Sequence, residues 1–311
     1  MNATQRLSLI TCAMTFVLIV VGVIVRATGS GLGCPDWPLC HGGAVPPVQH
    51  HSLIEFSHRF TATIVGFLVI GVAIMVWRNY RQIPVIAWAA VITVPLVGVQ
   101  GLLGALTVVR ELPPEIVATH LITAMLVLSF ELFVFLGLML AGTAVRGGAV
   151  PVRNTRAGGF ALAALAWLAV LMWVGAYMAE SGASTACTSW PACNGANIFP
   201  GNDSQEVTHM LHRYLAGAFL FVLAAFILAV KRTTRESWKR AVVAITGALY
   251  AAQVMVGAFN VWFTFPDALS VLHTAIATAL WIVLASTAIL YYYRPVASRR
   301  AGVPTRAEVP A

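Results

Sequence analysis

Four histidines stand where histidines are costly. His58, His120, His212 and His273 each lie inside, or at the edge of, a long apolar stretch. Ionisable groups in such stretches are expensive to keep and point to function by default. They are paired by spacing, 62 residues from His58 to His120 and 61 from His212 to His273. With about 20 apolar residues to a membrane-crossing helix, that interval puts the members of a pair on alternate helices that enter from the same end. Imidazoles presented by two helices across a shared core suit axial ligation of a haem iron. Zinc needs a third and a fourth ligand at metal-site spacing, and the sequence offers none nearby. The plainer reading is that each histidine hydrogen-bonds a neighbouring helix; it serves one isolated histidine better than four at matched depth.

The residues beside them differ between the pairs. The first reads Glu55-Phe56-Ser57-His58-Arg59, the second His209-Met210-Leu211-His212-Arg213. Residues three apart share a helix face, so Glu55 accompanies His58 where His209 accompanies His212. A repeated site that diverges in one ionisable group suggests one catalytic copy and one helper; the alternative is an exposed interfacial carboxylate. Arg59 and Arg213 are candidates for holding haem propionates, or they snorkel to lipid headgroups. Glu131 has no counterpart, Leu284 standing in the equivalent place; it serves a proton path or is paired inside the bundle. Gln100 and Gln253 are read as bridges between helices. His41, His50 and His51 lie in a polar connection, solvated by default, with proton steering or metal binding as the sharper reading.

Composition says what positions these groups. Of 311 residues, 59% are hydrophobic and 10% charged, against about 25% charged in an ordinary soluble domain. A soluble enzyme, a disordered chain and a nucleic-acid module are excluded. Continuous apolar runs at 7–25, 57–77, 84–109, 116–142, 158–179, 208–230, 241–263 and 269–292 predict eight transmembrane helices rather than barrel strands. The first run reads as a retained helix, not a signal peptide. Fifteen of the 19 Lys and Arg residues fall before the first run, in the 2–3, 4–5 and 6–7 connections, or in the tail. The basic excess places both termini in the cytoplasm and touches anionic lipid, so the net charge of +8 implies no nucleic acid partner.

The chain also repeats itself. Gly22, Gly29, Cys34, Trp37, Pro38, Cys40, Gln100, Gly104, Pro113 and His120 each recur 153 residues later, as Gly175, Gly182, Cys187, Trp190, Pro191, Cys193, Gln253, Gly257, Pro266 and His273. The expected fold is an all-α membrane protein of two tandem four-helix bundles related by a pseudo-twofold axis along the membrane normal. Residues 1–145 form the first half, 146–157 a cytoplasmic linker, 158–295 the second half and 296–311 a cytoplasmic tail. Cys34 with Cys40, and Cys187 with Cys193, lie in outward connections where disulfides are permitted. Each closes a seven-residue ring, adding about 2 kcal/mol on the chain-entropy account. They are structural staples, or a redox pair that exchanges electrons or thiols with a partner. Cys12, alone in the first helix, is read as packing.

The Arg26–Leu32 stretch, the Cys34–Cys40 loop, the stretch Gln49–Arg59, and the repeat carrying His212 and His273 resemble the haem A synthase family over about residues 5 to 295. The resemblance implies oxidation of the C8 methyl of haem O to a formyl group. His58 and His120 would flank substrate haem O, with Glu55 the catalytic carboxylate beside the reacting methyl. His212 and His273 would ligate a haem b. Implied partners are farnesylated haem O, a haem O synthase that supplies it, the lipid bilayer and an electron acceptor, with a homo-oligomer left open. The second cysteine pair occurs in only part of the family. With no evident transit peptide, the expected location is a bacterial plasma membrane. Two rivals stay on the table: a dihaem b-type electron relay, and a haem carrier for oxidase assembly.

Overall fold

The computed structural model describes residues 1–145, 155–195, 198–232 and 237–293. Among them are eight long helices and no strand: α1 Ala3–Ala27, α2 His50–Tyr80, α3 Pro84–Val109, α4 Pro114–Val145, α5 Thr155–Glu180, α6 Ser204–Lys231, α7 Ser237–Trp262 and α8 Asp267–Tyr292. All eight are long and apolar enough to cross a membrane. Residues 146–154 of the expected linker, and the tail 296–311, lie outside the described residues, as do Arg146, Arg153, Arg235, Arg294, Arg299, Arg300 and Arg306. Thr155 already opens α5, so the last three residues assigned to the linker are helical.

The apolar runs locate the helices but not all their ends. The run 84–109 coincides with α3, which starts on a proline, where the missing N–H costs nothing. In contrast α2 starts at His50, seven residues before its apolar run. Hydropathy marks the part of a helix that suits lipid; the backbone ladder continues through the polar turns that precede it. Caps set other starts. Asn2 and Gln5 cap α1 reciprocally, each side chain accepting the other's backbone N–H. The Asp203 carboxylate accepts the N–H groups of Gln205 and Glu206 at the start of α6.

The connections α1–α2, α3–α4, α5–α6 and α7–α8 gather at one end, the disulfide end. There Trp190 meets Trp262 edge-on, with ring centres 5.8 Å apart. Helix α1 packs on α2, α4 and α8; α5 packs on α6, α8 and α4; α4 and α8 pack on each other. The main core joins the first four helices to the last four, and a second cluster lies between α2, α3 and α4. Met125, Leu128 and Leu132 of α4 and Leu280, Trp281 and Leu284 of α8 join Cys12 of α1, with Ala157, Ala161 and Ala164 of α5. Lipid is as apolar as these side chains, so close packing by small residues and interhelical hydrogen bonds hold the bundle. Gln5 Nε2 donates to the Leu138 carbonyl at 3.0 Å, and Trp281 Nε1 donates to Ser129 Oγ at 2.9 Å.

Candidate functional site

All four histidine-bearing helices begin at the disulfide end. His58 is the ninth residue of α2 and His212 the ninth of α6; His120 is the seventh of α4 and His273 the seventh of α8. At about 1.5 Å per residue they sit about 9–12 Å below the helix starts. The Nδ1 atom of each ring is buried and makes no hydrogen bond, while the backbone of Leu18, Gln100 and Leu171 on the preceding helix lies within hydrogen-bonding reach of His58, His120 and His212, so the bridging reading keeps partner groups there. His212 and His273 face each other with ring centres 6.4 Å apart. A metal–imidazole bond is about 2 Å, so two rings sharing one metal would have their centres about 6 Å apart. His58 and His120 are near enough to interact electrostatically. Among the described residues no three His, Cys, Asp or Glu side chains converge as a metal site. A pair of imidazoles per site, facing in the case of His212 and His273, with orphaned buried Nδ1 atoms, fits an iron that brings its own macrocycle.

Each ring rests on a glycine of the preceding helix. His58 abuts Gly22, His120 abuts Gly104, His212 abuts Gly175 and His273 abuts Gly257. Sequence reasoning used these glycines only as markers of the repeat; the signal was that two of its identities, Gly22 with Gly175 and Gly104 with Gly257, are glycines inside apolar runs.

Glu55 is buried, 5% exposed, and its two oxygens differ. Oε1 accepts from Arg59 Nε at 3.2 Å and Nη2 at 2.9 Å, whereas the buried Oε2 has no partner. The other Arg59 bonds go to backbone: Nη1 donates to the carbonyls of Asp36 and Leu39, both at 2.7 Å, and Nη2 to that of Cys34 at 2.8 Å. All five N–H donors of the guanidinium are thus directed at the Cys34–Cys40 loop and at Glu55. That loop carries its disulfide. The Asp36 carboxylate takes the N–H of Gly42 at 2.7 Å and of His41 at 2.6 Å. Those bonds, the Gly42 one foremost, hold its carboxyl below the usual range.

The second copy is closed. His209, 2% exposed, donates from Nδ1 to the Ala183 carbonyl at 3.0 Å. Its Nε2 accepts from Arg213 Nη2 at 2.9 Å. Arg213 Nη1 reaches the carbonyls of Ser189, Pro191 and Ala192 at 2.8, 3.2 and 2.7 Å, inside the ring closed by the Cys187–Cys193 disulfide. Sequence reasoning did not foresee that each disulfide loop wraps its carbonyls around one arginine, because carbonyl partners carry no residue signature.

Other singled-out residues fall elsewhere. Glu131 lies deep in the first four helices, 5% exposed. Its Oε1 accepts from Thr15 Oγ1 at 2.9 Å and its Oε2 is unpartnered; it borders a cavity of about 10 Å³ with Ser8, Thr11 and Thr93. Gln100 bridges α3 to α4 through the His120 carbonyl at 2.8 Å. The loop histidines are tied locally, His51 Nδ1 to Ser30 Oγ at 2.9 Å and His41 Nε2 to the Gly33 carbonyl at 3.0 Å. Cys12 is a free, buried core residue.

Residues 5–285 match the COX15-CtaA family, described as cytochrome oxidase assembly protein. The haem A synthase of Symbiobacterium thermophilum is 33% identical over 295 residues, covering 91% of this chain and 94% of that protein. The haem A synthase of Shouchella clausii is 35% identical over 232 residues, 73% of this chain and 76% of that protein. That of Alkalihalophilus pseudofirmus is 31% identical over 289 residues, 89% and 93%.

Proposed function

The chain belongs to the COX15-CtaA family of cytochrome oxidase assembly proteins, and from that premise we propose that it is a haem A synthase. It is a multi-pass bacterial membrane protein. The substrate, haem O, is held between His58 and His120 in the first four helices, and its C8 methyl is oxidised to a formyl group. His212 and His273 would hold a resident haem b, which would supply one-electron transfer when bound.

The observation that carries this reading is the contrast between Glu55 Oε2, buried and unpartnered, and His209, bonded at both ring nitrogens. Helical spacing sets Glu55 on the face of His58. The oxidation passes through a hydroxymethyl stage in two steps. With water as the oxygen source, each step releases two electrons and two protons. Glu55 Oε2 takes the proton from the attacking water, and Arg59, by holding Oε1, keeps the carboxylate aimed. The four electrons released over the two steps leave to an external electron acceptor, a partner that this reaction requires. Arg59 and Arg213 hold the outer loops over the two sites, so a propionate contact from either requires exchange of one of those bonds.

Orientation and symmetry follow the same reading. The helix ends opposite the disulfide loops carry Arg78, Arg156, Lys231 and Lys239, which supports cytoplasmic termini and sites in the outer half of the membrane. The equal helix positions of the paired histidines support two four-helix halves related by a pseudo-twofold axis. The supplier of haem O is a farnesylating synthase, by family resemblance.

Haem extraction and mass analysis of the purified protein test the proposal. A mixture of haem B with haem O, haem A and a hydroxylated intermediate is expected. Haem B alone would overturn it in favour of an electron relay, and haem O bound without turnover would favour a carrier. Oxygen from labelled water should appear in the product; label solely from molecular oxygen would overturn the water step.

A further inference from the structure

We propose that Gly22, Gly104, Gly175 and Gly257 are positioning residues for the four imidazoles, each opening a notch in one helix that sets where the ring on the next helix can present its nitrogens. The inference deepens the reading of His58, His120, His212 and His273 as ligands of haem iron and rests on it.

The arrangement is the same four times. Each glycine lies five residues before the end of its helix, in α1, α3, α5 and α7. Each faces the histidine of the helix that follows. A Cβ added at Gly22 would lie 2.9 Å from His58 Cε1, and one at Gly175 would lie 2.8 Å from His212 Cε1. At Gly104 and Gly257 it would lie 3.2 Å from Cε1 of His120 and His273. Carbon atoms in comfortable contact are about 3.5–4.0 Å apart, so even one methyl group forces each ring to move. In every case the approached atom is Cε1, which sits between the two ring nitrogens. A ring pushed off this atom therefore shifts both nitrogens. Metal–ligand distances hold to within about 0.2 Å, less than the displacement a methyl at Gly22 or Gly175 demands.

Other glycines in these helices show that the contact, not the residue type, matters. Gly66 in α2, Gly98 in α3, Gly217 in α6 and Gly247 in α7 would meet nothing within 4 Å if a Cβ were added. Glycine is poor in a helix interior relative to alanine, so alanine at these open positions carries no steric penalty. They are matched controls for the notches.

The test uses the full-length protein in detergent or lipid: G22A, G104A, G175A and G257A against G66A, G98A, G217A and G247A. Haem is quantified by type per protein, the low-spin electron paramagnetic resonance signal of each retained haem is recorded, and thermal stability is followed in parallel. The expected result is half-specific. G175A loses most of its haem B and keeps haem O and haem A; G22A does the reverse. G104A and G257A, with the looser contact, keep haem with a shifted low-spin signal. The four controls match the wild type. Wild-type haem content and spectra in both G22A and G175A would overturn the proposal. So would loss of both haems from either variant, or equal loss from the controls, because each marks general destabilisation. A wild-type protein without bound haem would overturn the ligand reading itself, and the notches with it.

Discussion

The two disulfide-end sites are built on one plan and diverge at one side chain. Each has a ligand-type histidine nine residues into its helix, an arginine directly after it, and a disulfide loop whose carbonyls close on that arginine. One helical turn earlier stands Glu55 in the first site and His209 in the second. The imidazole uses both its nitrogens and ends as part of the wall. The carboxylate uses one oxygen to bind its arginine and keeps the other bare in a buried place. A buried polar atom without a partner is costly, and only the first site keeps one on a carboxylate. Under the proposed function the scaffold is shared, and the chemistry is assigned to the copy with Glu55.

The comparison breaks most visibly at the histidines. Replacing His58 or His120 with alanine should empty the first site of haem O and haem A while haem B stays; His212→Ala or His273→Ala should remove haem B. Haem analysis by mass reads the loss, and a variant that loses both haems equally argues against separate sites. Next in size is Glu55→Gln. A general base typically contributes 10²–10⁴-fold, so turnover of haem O should fall by about that factor, while His209→Gln leaves catalysis near wild type.

Arg59→Ala should act on both loop and carboxylate. Removing one partner of a buried ion pair costs about 3–5 kcal/mol, and the Arg59–Glu55 pair is only partly shielded, so a loss of about 2 kcal/mol is expected in denaturant unfolding, with reduced turnover. Arg213→Ala should cost stability without touching turnover beyond haem B occupancy. Cys34→Ser with Cys40→Ser should cost about 2 kcal/mol and slow turnover by loosening Arg59, whereas the Cys187 and Cys193 pair should cost similar stability alone. The smallest effect is set by pH. The folded Asp36 carboxyl is held low by Gly42 and His41, so its contribution to the loop is present above the ordinary Asp range of about 3.9 and is lost as pH falls through the folded value. Hydrogen exchange of residues 34–43 should rise at that acid limit, and Asp36→Asn should remove the dependence.

Much of the fold was legible because bilayer length and hydropathy constrain it: eight apolar runs became eight helices. The polar turns of α2 from His50 onward were not, because hydropathy does not register a helix that extends past the lipid. At the site, residue identity and offset exposed the histidine pairs and the exchange of Glu55 for His209. The facing of His212 and His273 followed from alternate helices entering at one end. The arginine partners were invisible, since backbone carbonyls look alike in any sequence. The glycine contacts were half visible, repeated in the sequence but silent about what they touch.

The most direct measurement is the haem composition of the purified Glu55→Gln protein, expressed where haem O is available. The account predicts haem B at the wild-type level, haem O accumulated in the first site, and neither haem A nor its hydroxylated intermediate. Haem A at the wild-type proportion, or loss of haem B with haem O turnover intact, would contradict it.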